Sequence, residues 1–167
     1  MRSTCAALTF ALLLLLPAGT ASAEGPAIGV VAPLSGPSEI LGRQIRDAAT
    51  VATGDQAELT VVDDACTADG ARAAATRLVA AKVRIVIGFL CTEAIEAAMP
   101  AFKAAGIPVI TVGVRTDSLT DRRRKSGWPV FRLAPRADGE RAAVARILTE
   151  LWRAELFAIV DDGTIYG

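Results

Sequence analysis

The sequence predicts an α/β fold with a mainly parallel sheet and flanking helices. Six short runs rich in β-branched residues alternate with alanine-rich stretches of helical spacing, the pattern of successive βαβ units. The runs are apolar almost throughout, as strands covered on both faces must be. Cys66 and Cys91 each close an apolar run, Leu59 to Ala65 and Val83 to Leu90, in a chain that opens with an export leader.

The first 23 residues read as that leader. Arg2 gives the positive start, Ala6 to Leu16 an apolar stretch too short to span a bilayer, and Ala21-Ser22-Ala23 a small-residue cleavage site before Glu24. The alternative is an uncleaved anchor helix. Cys5 leaves with the leader, and because it precedes the apolar stretch it is no lipid-carrying cysteine. Strands are then expected at Ala27 to Ala32, Glu58 to Asp63, Arg84 to Gly88, Pro108 to Thr111, Val130 to Leu133 and Leu156 to Val160. Helices are expected at Glu39 to Ala52, Ala68 to Ala81, Thr92 to Ala105 and Asp138 to Trp152, which carry good helix formers. Gly106 stops the third helix and Pro108 opens the next strand. Leu78, Val79 and Val83, and Ala142, Ile147, Leu148 and Leu151, read as stripes packed on the sheet rather than a cofactor box. Trp128 and Trp152 read as packing residues for the same reason.

Cleavage after Ala23 leaves 144 residues with two cysteines. In an oxidising compartment, two cysteines at strand ends are a disulfide candidate, and closing a loop of this length stabilises by about 3.5 kcal/mol in the chain-entropy model. Two buried free thiols are the alternative. A zinc site is poorly supported without histidine or a further thiol.

Losing Arg2 leaves 17 basic and 18 acidic residues, so no net field favours nucleic acid or an anionic membrane. The one basic run, Arg122-Arg123-Arg124-Lys125, precedes Ser126-Gly127 and Trp128-Pro129 and reads as a solvated loop. Catalysis has little to draw on. The chain has no histidine, Ser35 is not in a G-x-S-x-G elbow, and neither glycine-rich phosphate motif occurs, so no enzyme and no cofactor is expected. Asp63-Asp64 and Asp161-Asp162 are adjacent pairs whose side chains point to opposite faces of a strand.

In open α/β sheets, ligands sit beyond the carboxyl ends of the strands. Thr92 falls there, at the start of the third helix, where backbone N–H groups favour an anion. Its hydroxyl is either a donor to a substrate carboxylate or a helix cap.

The segments Ile28 to Pro37, Asp63-Asp64-Ala65-Cys66, Val86 to Thr92 and Val130-Phe131-Arg132, in that order, resemble the periplasmic leucine/isoleucine/valine-binding proteins. These are type I solute-binding proteins of branched-chain amino acid ABC importers. The resemblance implies two α/β lobes closing on a small-molecule ligand, amino acid or organic acid, with ABC permease subunits as partners and a Cys66–Cys91 disulfide in the first lobe. It implies that Thr92 holds the ligand carboxylate, that Gly113 and Arg115 face the amino acid, that Tyr166 covers it from the second lobe, and that Leu41 lines the wall. Two positions depart from the family. Arg115 stands for a small hydroxyl residue and Leu41 for an aromatic, so an ordinary aliphatic amino acid fits less well. If Arg115 reaches the ligand it favours a second carboxylate, a keto acid or an aromatic acid; otherwise it points to solvent. The resemblance further implies a first lobe at residues 24–130, a crossing and the start of a second lobe at 131–167, and a truncated chain whose last helix and strand lack a core. A receptor-linked sensory module and a non-functional remnant are the alternatives to periplasmic transport.

Overall fold

The computed structural model describes residues 25–160. The leader with Cys5, the Asp161-Asp162 pair and Tyr166 lie outside the described residues. Five strands form one parallel sheet: β1 (Ala27–Ala32), β2 (Glu58–Asp63), β3 (Ile85–Gly88), β4 (Val109–Thr111) and β5 (Val130–Arg132), in the order β2-β1-β3-β4-β5. They are interleaved with α1 (Glu39–Thr53), α2 (Ala68–Ala80), α3 (Thr92–Ala105), the short α4 (Ser118–Asp121) and α5 (Arg123–Ser126), and α6 (Ala137–Glu150).

β1 has β2 on one side and β3 on the other, so right-handed crossovers put α1 on one face of the sheet and α2 and α3 on the other. The core lies under α2 and α3. Val86, Val109 and Val130 stand in register across β3, β4 and β5 and are fully buried. Above them α2 contributes Ala71, Ala74, Ala75 and Leu78, and α3 contributes Ala94, Ile95, Ala98, Met99 and Phe102. Phe102 meets Phe89 edge to face at 6.4 Å. Each large side chain taken fully out of water here contributes about 1.5–3 kcal/mol. The alanines are what let α2 and α3 pack so closely on each other.

The helix ends follow local chemistry. Thr67 caps α2 by accepting the Gly70 N–H at 3.0 Å. Gly106 ends α3 in the left-handed region at φ 67°, which an alanine would enter only at a cost. Gly42 of α1 lies so close to Pro33 that an added Cβ would stand 1.9 Å from its carbonyl oxygen. That contact seats α1 on the tail of β1.

On the face under α1, Val30, Ile87, Ile110 and Phe131 form one row in register. Val30 is buried beneath the helix, Ile87 and Ile110 are half-buried, and Phe131 is 49% exposed. Exposure rises with distance from α1, which packs on β1 and β2.

Several expectations are corrected. Leu156 to Val160 is not a strand; it is non-regular and exposed. A strand forms only beside a partner edge, and α6, which leads into this run, buries none of its residues against anything described. Ile147 and Leu151 are therefore exposed rather than core, and so is Trp152. Arg122 to Lys125 is not a loop but spans the junction of α4 and α5, where Arg123 lies 5.1 Å over the Phe131 ring. By contrast, the strand expected at Val130 to Leu133 is present as β5, where Phe131 and Arg132 pair with Ile110 and Thr111. Trp128 does pack against the core.

Candidate functional site

The strand order reverses direction between β1 and β3, and in such sheets the crevice at the carboxyl ends of those two strands receives ligands. Four tails converge there: Pro33–Gly36 after β1, Asp64–Cys66 after β2, Phe89–Cys91 after β3 and Val112–Thr116 after β4.

The first two tails are tied together by Asp63. Its Oδ1 accepts the N–H groups of Leu34 at 2.8 Å and Ala65 at 2.7 Å, and its Oδ2 accepts the Ser35 hydroxyl at 2.6 Å. Burial pushes this carboxyl up, but the Ser35 hydroxyl and the surrounding N–H groups outweigh it and hold it below the usual carboxylate range. Asp64 is completely buried. Its Oδ1 accepts the Cys66 N–H at 3.0 Å, while its Oδ2 has no hydrogen-bond partner. Burial is the main reason its carboxyl is pushed up, with the neighbouring charges of Asp63 and Glu93 adding to it. The two acids diverge, as strand alternation requires, and each clamps one residue of a left-handed turn, Ala65 at φ 48° and Cys66 at φ 54°.

That turn presents Cys66 to Cys91, and the two are joined in a disulfide with Cα atoms 5.3 Å apart. Cys91 is the N-cap residue of α3, so the bond fixes the start of that helix to the tail of β2. Thr92 follows immediately. It is 7% exposed, and its hydroxyl shares a 2.7 Å hydrogen bond with the hydroxyl of Thr116. Thr92 therefore stands at the positive end of a 14-residue helix, with a second hydroxyl from the β4 tail against it.

Gly113, in the same β4 tail as Thr116, packs against the tail of β3. Its N–H donates to the Phe89 carbonyl at 3.2 Å, and an added Cβ would meet the Leu90 side chain at 2.3 Å. Arg115 turns toward α6, where its Nη1 donates to Glu140 Oε1 at 2.6 Å with both side chains partly exposed. An anion reaching Arg115 would have to compete with that carboxylate. Leu41 sits on the first turn of α1 and is 52% exposed. Thr92, Gly113 and the Arg115–Thr116 segment are thus brought to one place at the strand ends, and Cys66–Cys91 borders it.

Sequence reasoning missed the residue that holds this loop. Arg132 of β5 donates through Nη1 to the Arg115 carbonyl at 2.6 Å, and through Nη2 to the Thr116 carbonyl at 2.8 Å and the Thr120 hydroxyl at 2.7 Å. Arg136 adds exposed ion pairs to Asp121 and Asp138. A separate cleft of about 570 Å³ opens on the flank between α3 and α4–α5, lined by Glu96, Ser118, Arg122, Lys125, Ser126 and Trp128. Its lining includes none of Thr92, Gly113, Arg115 or Thr116, whereas ligands of open α/β sheets sit at the strand ends.

Residues 26–167 match the family described as periplasmic binding protein. The chain belongs to the periplasmic binding protein family. An amino acid binding protein from Pseudomonas aeruginosa is 28% identical over 151 residues, which cover 84% of this chain and 40% of the relative. The Leu/Ile/Val-binding protein of Escherichia coli K12 is 28% identical over 158 residues, covering 88% of this chain and 42% of the relative. Among solved structures, the solute-binding protein of an ABC transporter from Rhodopseudomonas palustris BisB5, in complex with 3,4-dihydroxybenzoic acid, superposes with a TM-score of 0.60 at 26% identity. That match covers 67% of this chain and 32% of the other. The chain thus spans about two fifths of the length of these curated family members.

Proposed function

We propose that this chain supplies the first lobe and hinge approach of a solute-binding component of an ABC importer, with a small carboxylate as its solute. Thr92 at the start of α3, backed by Thr116 in the crevice between β1 and β3, is the observation that carries this reading. A helix N-terminus with a converging hydroxyl pair suits a carboxylate group. Family membership supports binding rather than turnover, and relatives bearing branched-chain amino acid and dihydroxybenzoate names support a small carboxylate as the solute.

In this reading Thr92 receives the carboxylate, Gly113 offers backbone beside it, Leu41 forms a wall and Tyr166 closes over the solute. Arg115, paired with Glu140, stands at the rim, where a second acidic group on the solute would compete with Glu140 for its guanidinium. The first lobe runs from residue 24 through 130, with 131–167 leading into the second. The leader read in residues 1–23 and the disulfide support export to the periplasm with cleavage after Ala23, where membrane permease subunits are the partners.

The test is calorimetric titration of the chain with leucine, isoleucine, valine and 3,4-dihydroxybenzoate, beside the Thr92→Val variant. Binding of at least one carboxylate that Thr92→Val weakens tenfold or more supports the reading. Binding that Thr92→Val leaves unchanged, or no carboxylate bound at millimolar concentration, overturns it.

A further inference from the structure

The two cysteines of the Cys66–Cys91 bond sit on different local structure, Cys91 at a helix start and Cys66 in a turn held by a buried carboxylate. Cys91 is the N-cap of α3, in extended conformation at φ −104° and ψ 134°. Its side chain makes no capping hydrogen bond while it is held in the disulfide. Released as a thiolate, it stands where an N-cap acceptor belongs, at the positive end of the helix and beside its first N–H groups. Cysteines in that position have lowered thiol pKa values.

Cys66 is placed against an acid. Its N–H bonds to Asp64 Oδ1, and Asp64 is buried with its second oxygen unpartnered. Asp63, one residue further back, clamps Ala65. A thiolate on Cys66 would sit beside these carboxylates. Glu93 of α3 acts on both sides, being two residues from Cys91 and within electrostatic reach of Asp64. Asp64 therefore distinguishes the two sulfurs, and so does the helix end.

We propose that this disulfide is a directional thiol-exchange site, attacked by a small thiol at Cys66 Sγ and releasing Cys91 as the leaving group. The incoming thiolate forms a new S–S bond with Cys66 as the Cys66–Cys91 bond breaks, and its electron pair departs on Cys91 as a thiolate. No net oxidation occurs in this step; a second thiol then takes Cys66's new partner, leaving two cysteine thiols and one small-molecule disulfide. The direction follows from leaving-group strength, since the lower-pKa thiol leaves faster. Both cysteines are half-buried rather than enclosed, so the bond is reachable in the folded chain. The Asp63 and Asp64 hydrogen bonds to Ala65 and Cys66 do not involve sulfur, so they hold the turn after the bond opens. This inference does not depend on what the chain binds.

The experiment treats the folded, oxidised chain with limiting glutathione at neutral pH, quenches with acid, alkylates with N-ethylmaleimide and maps the adducts by tandem mass spectrometry. Glutathione on Cys66 with N-ethylmaleimide on Cys91 is expected in several-fold excess over the reverse pattern, because the thiol released at the helix start is the better leaving group. Equal or reversed labelling overturns the proposal, as does reaction only in denaturant. Asp64→Asn should shrink the preference several-fold. The same mapping in strong urea should bring the two patterns close to equality even if that variant does not fold, and a preference that persists there assigns the direction to local sequence and refutes the structural argument.

Discussion

Replacing Arg132 with methionine removes one guanidinium and keeps most of the aliphatic stem, so packing changes little. Three hydrogen bonds are lost, to the carbonyls of Arg115 and Thr116 and to the Thr120 hydroxyl. Neither carbonyl is fully orphaned, because Ala137 N–H still donates to Arg115 and Leu119 N–H to Thr116. The site is also half-buried, so solvent screening brings each bond down to the value of an ordinary net hydrogen bond. About 1 kcal/mol for each bond gives a loss of about 3 kcal/mol. For a domain of about 140 residues the unfolding entropy is roughly 0.3 kcal/mol per degree, so Tm should fall by about 10 °C. Thermal and urea unfolding followed by circular dichroism measure this. A shift within about 2 °C would show that the loop from Arg115 to Thr120 holds itself, and that Arg132 is only a surface charge.

Removing the disulfide as Cys66→Ala with Cys91→Ala should cost about 3.5 kcal/mol from the 25-residue separation, read as a lower urea midpoint with the slope affected little or raised. Gly113→Ala must displace the Leu90 side chain and press on the Phe89 carbonyl, so unfolding should show a loss of about 1–3 kcal/mol. The two neighbouring acids should respond to pH with opposite signs. Asp63 has a folded pKa below the unfolded value, so its stabilisation is present above about pH 4 and is lost as pH falls through the folded value. Asp64 has a folded pKa above the unfolded value, so stability rises as pH falls from that raised value toward about 4 and is flat below. Urea midpoints measured from pH 7 to pH 2 should lose the first feature in Asp63→Asn and the second in Asp64→Asn.

Strand and helix positions were legible wherever local chemistry marked both ends. The range Thr92–Ala105 follows from the strand tail before it and Gly106 after it, and β1 and β2 from apolar runs bounded by turn residues. The last quarter of the chain was not legible in the same way. Helical spacing in Asp138 to Trp152 gives the helix but not what lies against it, and α6 has no buried residue. A β-branched run such as Leu156 to Val160 becomes a strand only beside a partner edge, which periodicity does not supply. At the site, Thr92 was marked by its place at a helix start. Thr116 lay in the same β4 tail as Gly113 and Arg115, and the strand-end rule alone would have reached it. Arg132 and Glu140 escaped because their bonds span 12–25 residues and join elements whose adjacency only the fold decides. Asp63 and Asp64 were correctly read as divergent, but their use as clamps on a left-handed turn depends on backbone angles the sequence does not display.

The central claim is that a carboxylate is received at the start of α3. Amide chemical-shift mapping of the ¹⁵N-labelled chain, titrated with 3,4-dihydroxybenzoate and with leucine, tests it most directly. Shifts should concentrate on Thr92, Glu93, Gly113 and Thr116, with Leu34 and Ser35 of the neighbouring tail following. Shifts gathered on Glu96, Ser118, Arg122 and Trp128 would move the site to the flank cleft and contradict the account.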